Sequence, residues 1–448
     1  MPGGAKPESA ALKISYSSVG KNSFVFHIGS DGCYAGGYNT AWYPQLDEHR
    51  ALGTIVLEVP EGYVAKATGH EAPKQASDGL VRYTFNVIAP SVLTFAAAKY
   101  QVIKIDGKFP VTIYSLSRRE NAQAYADGCR KILEVLQKMY GPYPYSDFAI
   151  IETPSPVSIQ TGFSGASFEG FMFADTLSMN LPFSYAYYGH EMGHQWWGNC
   201  VQRNGKKGEG MLDEALAQYG SLQVVDQIQG PAMAAKYRST GYPYYSPSQS
   251  GRGAIMTSAT EYDMPLATMP ENSSVTHEVA DEKGFLAWDA IAQWMGRDHF
   301  HAALREVVTK HAFGYVTFDE FLDTVSAKSP VPLDKILDQW LNRTGLPVLS
   351  ISGESVGSEY VVKVTQTKPY YFLKIPVEVV TEDGESHREI VSLEGESGTV
   401  SLKLNSPVSK VLLDPQFEIL HSTPELQDEA EKNKAMTRKL MLRLQGKA

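Results

Sequence analysis

The sequence predicts an α+β protein of several domains. Runs of β-type residues fill the amino-terminal part, amphipathic helical patterns occupy the middle, and short alternating strands return near the end. A length of 448 residues suits about three domains, because single hydrophobic cores rarely grow beyond about 250 residues. We expect an N-terminal β-domain over residues 1–104, a central domain over 105–345, a β-sandwich over 346–422 and a C-terminal helix over 423–448.

The amino-terminal β-domain is predicted from four runs of β-branched and aromatic residues. Gly, Pro, Asn and Asp separate these runs, as is typical of strands joined by turns. The runs are Ser23–Ile28, Gly53–Val59, Val81–Val87 and Tyr100–Ile105.

The central domain opens with a helical pattern. Apolar residues recur at helical spacing between Arg118 and Tyr145, where a Gly-Pro-Tyr-Pro-Tyr turn ends the segment. An apolar run, Phe148–Ile151, follows. This order predicts an amphipathic helix packed on a buried strand.

A His-Glu-x-x-His motif is the most informative part of the chain. On an α-helix, His190 and His194 would share one face, so that both imidazoles can bind one metal ion. Glu191 can reach a water on that ion and is therefore the candidate general base. The alternative is a packed helix whose histidines are satisfied by neighbouring polar groups.

A third ligand is expected downstream, because catalytic zinc usually takes three protein ligands and keeps one position for water. After the Gly- and Lys-rich turn Gly205–Gly210, a helical pattern runs to about Ile228. Its first residues include Asp213 and Glu214, and either carboxylate suits the metal.

These segments together resemble the aminopeptidase N family, the gluzincin zinc peptidases that include leukotriene hydrolase. His-Glu-x-x-His-Gln-Trp-Trp-Gly-Asn and the later Leu-Asp-Glu-Ala-Leu-Ala-x-Tyr carry the resemblance. It implies a thermolysin-like central domain, one Zn²⁺ per chain held by His190, His194 and a downstream Glu, and Glu191 as the base. The family spacing places the third ligand at Asp213, whereas the local match of residue types favours Glu214, which we prefer.

The segment Gly162–Phe171 resembles the edge strand that binds substrate in the family. The resemblance implies that Glu169 holds the free amine of a peptide while the backbone around Gly165 and Ala166 pairs with it. A fixed carboxylate suits this task, because a desolvated ammonium needs an opposite charge. The alternative is a surface glutamate on a sheet edge. Gly170 stands where the family has Asn.

One departure from the family concerns the oxyanion. Asp281 stands in place of the tyrosine of the family's Tyr-x-Lys-Gly, whose hydroxyl donates to the oxyanion. Loss of one such donor typically costs about two to three orders of magnitude in turnover. We expect His277 to donate instead, with Tyr262 as a second candidate. The alternative is that His277 is an ordinary loop residue.

The carboxyl-terminal part resembles the family's small β-domain. Gln-Trp and Gly-x-Pro between Gln339 and Pro347 mark its start, and five alternating runs follow. These are Tyr360–Val364, Leu373–Val380, His387–Leu393, Gly398–Leu404 and Val408–Leu413.

The amino-terminal domain is about half as long as the corresponding domain of the family, so we expect a shortened version of that domain.

Composition excludes some classes of function. A net charge of −10 argues against nucleic-acid binding, which requires a basic surface. The chain contains no apolar run long enough to span a membrane, and its first residues lack the apolar core of a secretion signal. We therefore expect a cytoplasmic protein, or a periplasmic or secreted one if a signal was removed. Three cysteines are too few for a disulfide framework.

The expected function is that of a zinc-dependent aminopeptidase acting on peptides with a free N-terminus. Two alternatives remain open: a zinc-binding relative that binds or scaffolds peptides with weak or no peptidase activity, and a hydrolase of a non-peptide bond. The sequence does not indicate the oligomeric state.

Overall fold

The structure is a computed structural model with mixed helices and sheets. The residues it describes are 13–17, 26–36, 42–44, 50–153, 165–240, 255, 263–269 and 279–432. Among these residues, no helix has the length and apolar character needed to cross a membrane.

The amino-terminal part contains two four-stranded sheets. One has the order β1-β2-β8-β4, and in the other β3, β7 and β5 are adjacent while β6 also pairs with β7. The strands are β1 (Phe26–Gly29), β2 (Gly32–Ala35), β3 (Ala51–Pro60), β4 (Val64–Ala67), β5 (His70–Glu71), β6 (Gln75–Ser77), β7 (Leu80–Ser91) and β8 (Phe95–Ala98).

The central sheet has five strands in the order β12-β13-β11-β10-β9. Its strands β10, β11 and β13 are parallel, and the two edge strands β9 and β12 are antiparallel to their neighbours. The strands are β9 (Gln101–Ile105), β10 (Val111–Ser115), β11 (Phe148–Thr153), β12 (Gly165–Phe168) and β13 (Phe171–Asp175). The expected boundary at residue 104 falls inside β9, which pairs with this central sheet.

The helix expected between Arg118 and Tyr145 is α1 (Ala122–Tyr140). It is shorter at both ends. Arg119 forms a buried ion pair with Glu152 instead of entering the helix, and Gly141, with a φ of 97°, ends it. The buried face of α1 packs on β10 and on three helices of the central region, which brings the central sheet and these helices into one core.

The remaining helices of the described central region follow in order. They are α2 (Thr176–Asn180), α3 (Tyr185–Gly193), α4 (Glu214–Gln229), α5 (Pro231–Thr240), α6 (Phe285–Met295), α7 (Arg297–His311), α8 (Phe318–Lys328) and α9 (Asp334–Leu337). A short 3₁₀ helix covers Leu266–Thr268, and π-helical turns cover Ala280–Gly284 and Asp338–Asn342. Strands β14 (Val201–Asn204) and β15 (Gly314–Thr317) pair in parallel.

The carboxyl-terminal part is a β-sandwich of two three-stranded sheets, ordered β16-β17-β20 and β19-β18-β21. Six strands are present instead of the five expected, because Leu349–Val356 forms an additional, largely exposed strand. The strands are β16 (Leu349–Val356), β17 (Glu359–Gln366), β18 (Leu373–Thr381), β19 (Ser386–Leu393), β20 (Ser397–Leu402) and β21 (Val408–Leu413). Residues 424–432 are helical, and the rest of the expected terminal helix lies outside the described residues.

Candidate metal centre

The motif helix α3 is short and ends inside the His-Glu-x-x-His motif. The Ser184 side chain caps its start by accepting from Tyr187 N at 3.1 Å. Its last residue is Gly193, so His194 lies just beyond the end, contrary to the expectation of one continuous helix. His194 keeps helical angles, and its N–H donates to His190 O at 3.2 Å. The two imidazoles therefore still share one face.

The side chains of His190, His194 and Glu214 meet at one point. The two histidine Nε2 atoms lie 3.1 Å apart, and Glu214 Oε2 lies 3.5 Å from His190 Nε2 and 3.4 Å from His194 Nε2. A tetrahedral zinc ion with bonds near 2.0 Å requires ligand atoms about 3.3 Å apart. This triangle therefore fits a zinc ion without any rearrangement.

The structure distinguishes between the two candidate third ligands. Asp213 is the N-cap of α4, and its side chain accepts from Glu214 N at 2.8 Å. Glu214 is the first helical residue, and its carboxylate turns to the two histidines. Among the described residues, these three form the only His, Cys, Asp and Glu group with the spacing of a metal site.

The charges around the triangle also suit a cation. Burial raises the pKa of Glu191, and the carboxylates of Glu214 and Asp281 raise it further against the opposing effect of the two imidazoles. Burial would lower the pKa of His194, but Glu214, together with Glu191 and Asp213, outweighs it and the pKa rises to about 9. A buried excess of carboxylates is costly unless a cation balances it.

The edge strand β12 lies directly over Glu191. A Cβ added to Gly165 would lie 2.5 Å from Glu191 Oε1 and 2.4 Å from the Tyr187 hydroxyl. Further along the strand, Ser167 Oγ donates to Glu191 O at 2.7 Å. Ala166 points to the other face of the sheet, where it packs against a buried cluster that includes Phe168, Phe171 and Phe173. Gly165 therefore leaves the space in which the base carboxylate stands.

Gln195 links this strand to the end of the motif helix. Its Nε2 donates to Ser167 Oγ at 2.7 Å and to Phe168 O at 2.9 Å, and its Oε1 accepts from Gly170 N at 2.9 Å. The side chain is fully buried. Gln195 therefore fixes the edge strand against the segment that contains the candidate metal ligands.

The environment of Glu169 does not match its expected role as the amine anchor. The residue lies in the two-residue turn between β12 and β13, and its side chain is only 6% exposed. Its Oε1 accepts from Arg50 Nη1 at 2.8 Å and from Val92 N at 3.0 Å. One oxygen of this carboxylate is therefore already paired with a buried guanidinium, which opposes a role in binding the substrate ammonium.

Two further residues bear on the oxyanion. Asp281 is fully buried in the π-helical turn before α6, within electrostatic range of Glu191. The sequence analysis missed Tyr187, whose hydroxyl lies beside Glu191. The signal that could have identified it is its position one helical turn before Glu191. The expected donors His277 and Tyr262 lie outside the described residues.

Known proteins share this domain and this fold. Residues 186–340 match the peptidase family M1 domain. Aminopeptidase 2 of Candida albicans is 22% identical over 356 residues, which cover 73% of this chain and 36% of that protein. The glutamyl aminopeptidase of Bos taurus is 22% identical over 394 residues, covering 82% of this chain and 40% of the relative.

A solved structure has a similar fold over nearly the whole chain. The crystal structure of Legionella pneumophila aminopeptidase A in complex with aspartic acid superimposes with a TM-score of 0.69 at 14% identity. The match covers 90% of this chain and 48% of that one, so the chain spans less than half the length of these proteins. Residues 186–340, which contain the triangle of His190, His194 and Glu214, are thus similar to the peptidase family M1 domain.

Proposed function

We propose that the protein is a zinc-dependent aminopeptidase that removes N-terminal residues from peptides. The observation that carries the proposal is the triangle of His190, His194 and Glu214 with Glu191 beside it. Three ligands leave one coordination position for water, as in catalytic rather than structural zinc sites. The two relatives and the solved structure described above are all aminopeptidases by name, which supports the same reaction class.

In the proposed mechanism, His190, His194 and Glu214 would hold one zinc ion. The ion, when bound, supplies Lewis acidity that makes water a nucleophile near neutral pH. Glu191 accepts a proton from the attacking water and returns it to the leaving amine. Burial raises the pKa of this carboxyl, which favours acceptance of the proton from water.

The edge strand β12 supplies the surface for the peptide in this proposal. Among the described residues it pairs with β13 alone, and we propose that an extended substrate pairs with its other edge. We propose that the backbone of Gly165 and Ala166 binds the substrate in this way. We propose that the acidic groups around the metal bind the free amine, because Glu169 already forms an ion pair with Arg50.

The proposal is tested with a panel of aminoacyl arylamides and short peptides, each offered with a free and with an acetylated amino terminus. We expect turnover of the free forms only, and a loss of at least about 1,000-fold in kcat in Glu191→Gln with zinc still bound. Equal turnover of acetylated peptides would show an endopeptidase. No turnover of any substrate by fully zinc-loaded protein would refute the peptidase proposal.

One observation favours a second candidate, a zinc-binding relative that binds peptides with weak or no hydrolysis. A fully buried Asp281 stands where the family has its oxyanion-binding tyrosine, and a carboxylate there disfavours a nearby negative charge. Asp281→Tyr separates the two candidates. A rise in turnover identifies Asp281 as the cause of weak activity, whereas unchanged turnover removes the argument for this candidate.

A further inference from the structure

We propose that Arg50, from the amino-terminal part of the chain, is a positioning residue for the metal ligand His194. It acts through the turn Trp197–Asn199, which follows the motif helix. The inference rests on the proposed function only in taking zinc as the metal.

The first step of the argument joins His194 to this turn. Its Nδ1 lies 3.1 Å from Trp197 O, so that the ring donates to the carbonyl when Nε2 binds a metal. The turn is closed by Asn199 N, which donates to His194 O at 3.2 Å. Gly198 lies against the ring, and a Cβ on it would be 3.6 Å from Nδ1. A second hydrogen bond of this kind fixes the orientation of metal-binding histidines.

The second step joins the turn to Arg50. Its Nη1 donates to Asn199 O at 2.7 Å, and its Nη2 donates to Gly198 O. The guanidinium is planar and only 3% of the side chain is exposed, so one rigid group holds two successive carbonyls. The turn cannot rotate without loss of two charge-assisted hydrogen bonds in a place that water does not reach.

The third step fixes Arg50 itself. Its Nη1 also donates to Glu169 Oε1, and the same oxygen accepts from Val92 N. Arg50 directly precedes β3 and Val92 directly follows β7, and these strands are paired so that Ala51 lies opposite Ser91. The paired ends of β3 and β7 therefore hold Arg50 in place, and Arg50 in turn holds the turn Trp197–Asn199. In this arrangement Glu169 serves as the counter-charge that keeps Arg50 in place.

The test measures metal affinity, which does not depend on turnover. Zinc and cobalt affinities are obtained by competition with a chromogenic chelator for wild type and Arg50→Met, together with the visible spectrum of bound cobalt. We expect zinc binding to weaken by about 10- to 100-fold, the range for loss of a partner that orients a ligand, and the cobalt bands to shift.

Arg119→Met is the matched control. Arg119 is also buried and paired with a buried carboxylate, Glu152, but its other contacts are Ser115, Met179 and Asn180. We expect it to lower the denaturation midpoint while leaving zinc affinity within about twofold. If Arg50→Met does not fold, Arg50→Lys replaces it, because an ammonium keeps the charge beside Glu169 without a planar group for both carbonyls.

The outcomes separate the two proposals. Weakened zinc binding and altered cobalt bands in the Arg50 variant, but not in Arg119→Met, support the positioning role. A folded Arg50 variant with wild-type zinc affinity and an unchanged cobalt spectrum overturns it. A wild-type protein that binds no zinc overturns the proposed function instead.

Discussion

Replacing Gly165 with alanine adds a single methyl group, which we expect to displace Glu191, the proposed general base. The new carbon would lie 2.5 Å from Glu191 Oε1 and 2.9 Å from its Cδ, whereas ordinary contact begins at 3.4 Å. The carboxylate must therefore retreat by about 1 Å. A misplacement of this size costs about 100-fold in rate, or about 2.7 kcal/mol of transition-state stabilisation.

We expect Gly165→Ala to slow catalysis while leaving the fold unchanged. The atoms that the methyl meets are the ends of two flexible side chains, Glu191 and Tyr187, which can move at little cost. We expect kcat for an aminoacyl arylamide to fall about 100-fold while bound zinc is retained and the free energy of unfolding changes by less than about 0.5 kcal/mol.

The control is Gly395→Ala, where an added Cβ has no neighbour within 4 Å. It reports the effect of a glycine-to-alanine change in open space. A zinc-loaded Gly165→Ala enzyme with wild-type kcat would refute the placement of the Glu191 carboxylate against β12 as the catalytic arrangement.

Three further predictions follow from the same geometry and from one histidine outside it. Glu214→Gln should weaken zinc binding, measured by chelator competition, far more than Asp213→Asn, because only Glu214 faces both imidazoles; equal losses would contradict the ligand assignment. Tyr187→Phe should lower kcat at least about tenfold with zinc retained, since it removes the hydroxyl beside the base; an unchanged kcat would exclude that hydroxyl from the reaction. Burial lowers the pKa of His301 to about 4 in the folded protein, whereas its pKa in the unfolded chain is about 6.5. As the pH falls below about 6.5, the unfolded chain therefore binds a proton that the folded protein does not bind. Stability should therefore drop by up to about 3 kcal/mol between pH 7 and 4, and urea unfolding should show a smaller drop in His301→Gln.

The grouping of the three candidate metal ligands was predictable because helical geometry and short separation in sequence determine their placement. His190 and His194 lie one turn apart, and Glu214 follows at the start of the next long helix. The salt bridge between Arg50 and Glu169 joins positions 119 residues apart. No local pattern reveals such a pair, since it depends on how the ladder of β3 and β7 docks on the central sheet.

Two of the strands that the sequence analysis missed, β8 and β16, have a composition unlike that of an average strand. Strand β8 reads Phe-Ala-Ala-Ala, and alanine is normally depleted in strands. It lies between β2 and β4, where its alanines are fully buried and small residues allow close packing. Strand β16 contains Gly353 and is mostly exposed, so the alternation that marks a half-buried strand is weak.

The motif helix α3 is too short to keep its structure when it is removed from the domain. A helix of 9 residues is too short to persist alone in water. The aromatic residues beyond it depend on distant segments: Trp196 Nε1 donates to Pro142 O at 3.1 Å, and Trp197 packs edge-on against Tyr140. A synthetic peptide spanning the motif should therefore be a random coil, and grafting it onto another scaffold would transfer the ligand residues without their geometry. We therefore expect the affinity and selectivity of the proposed metal site to depend on the entire domain.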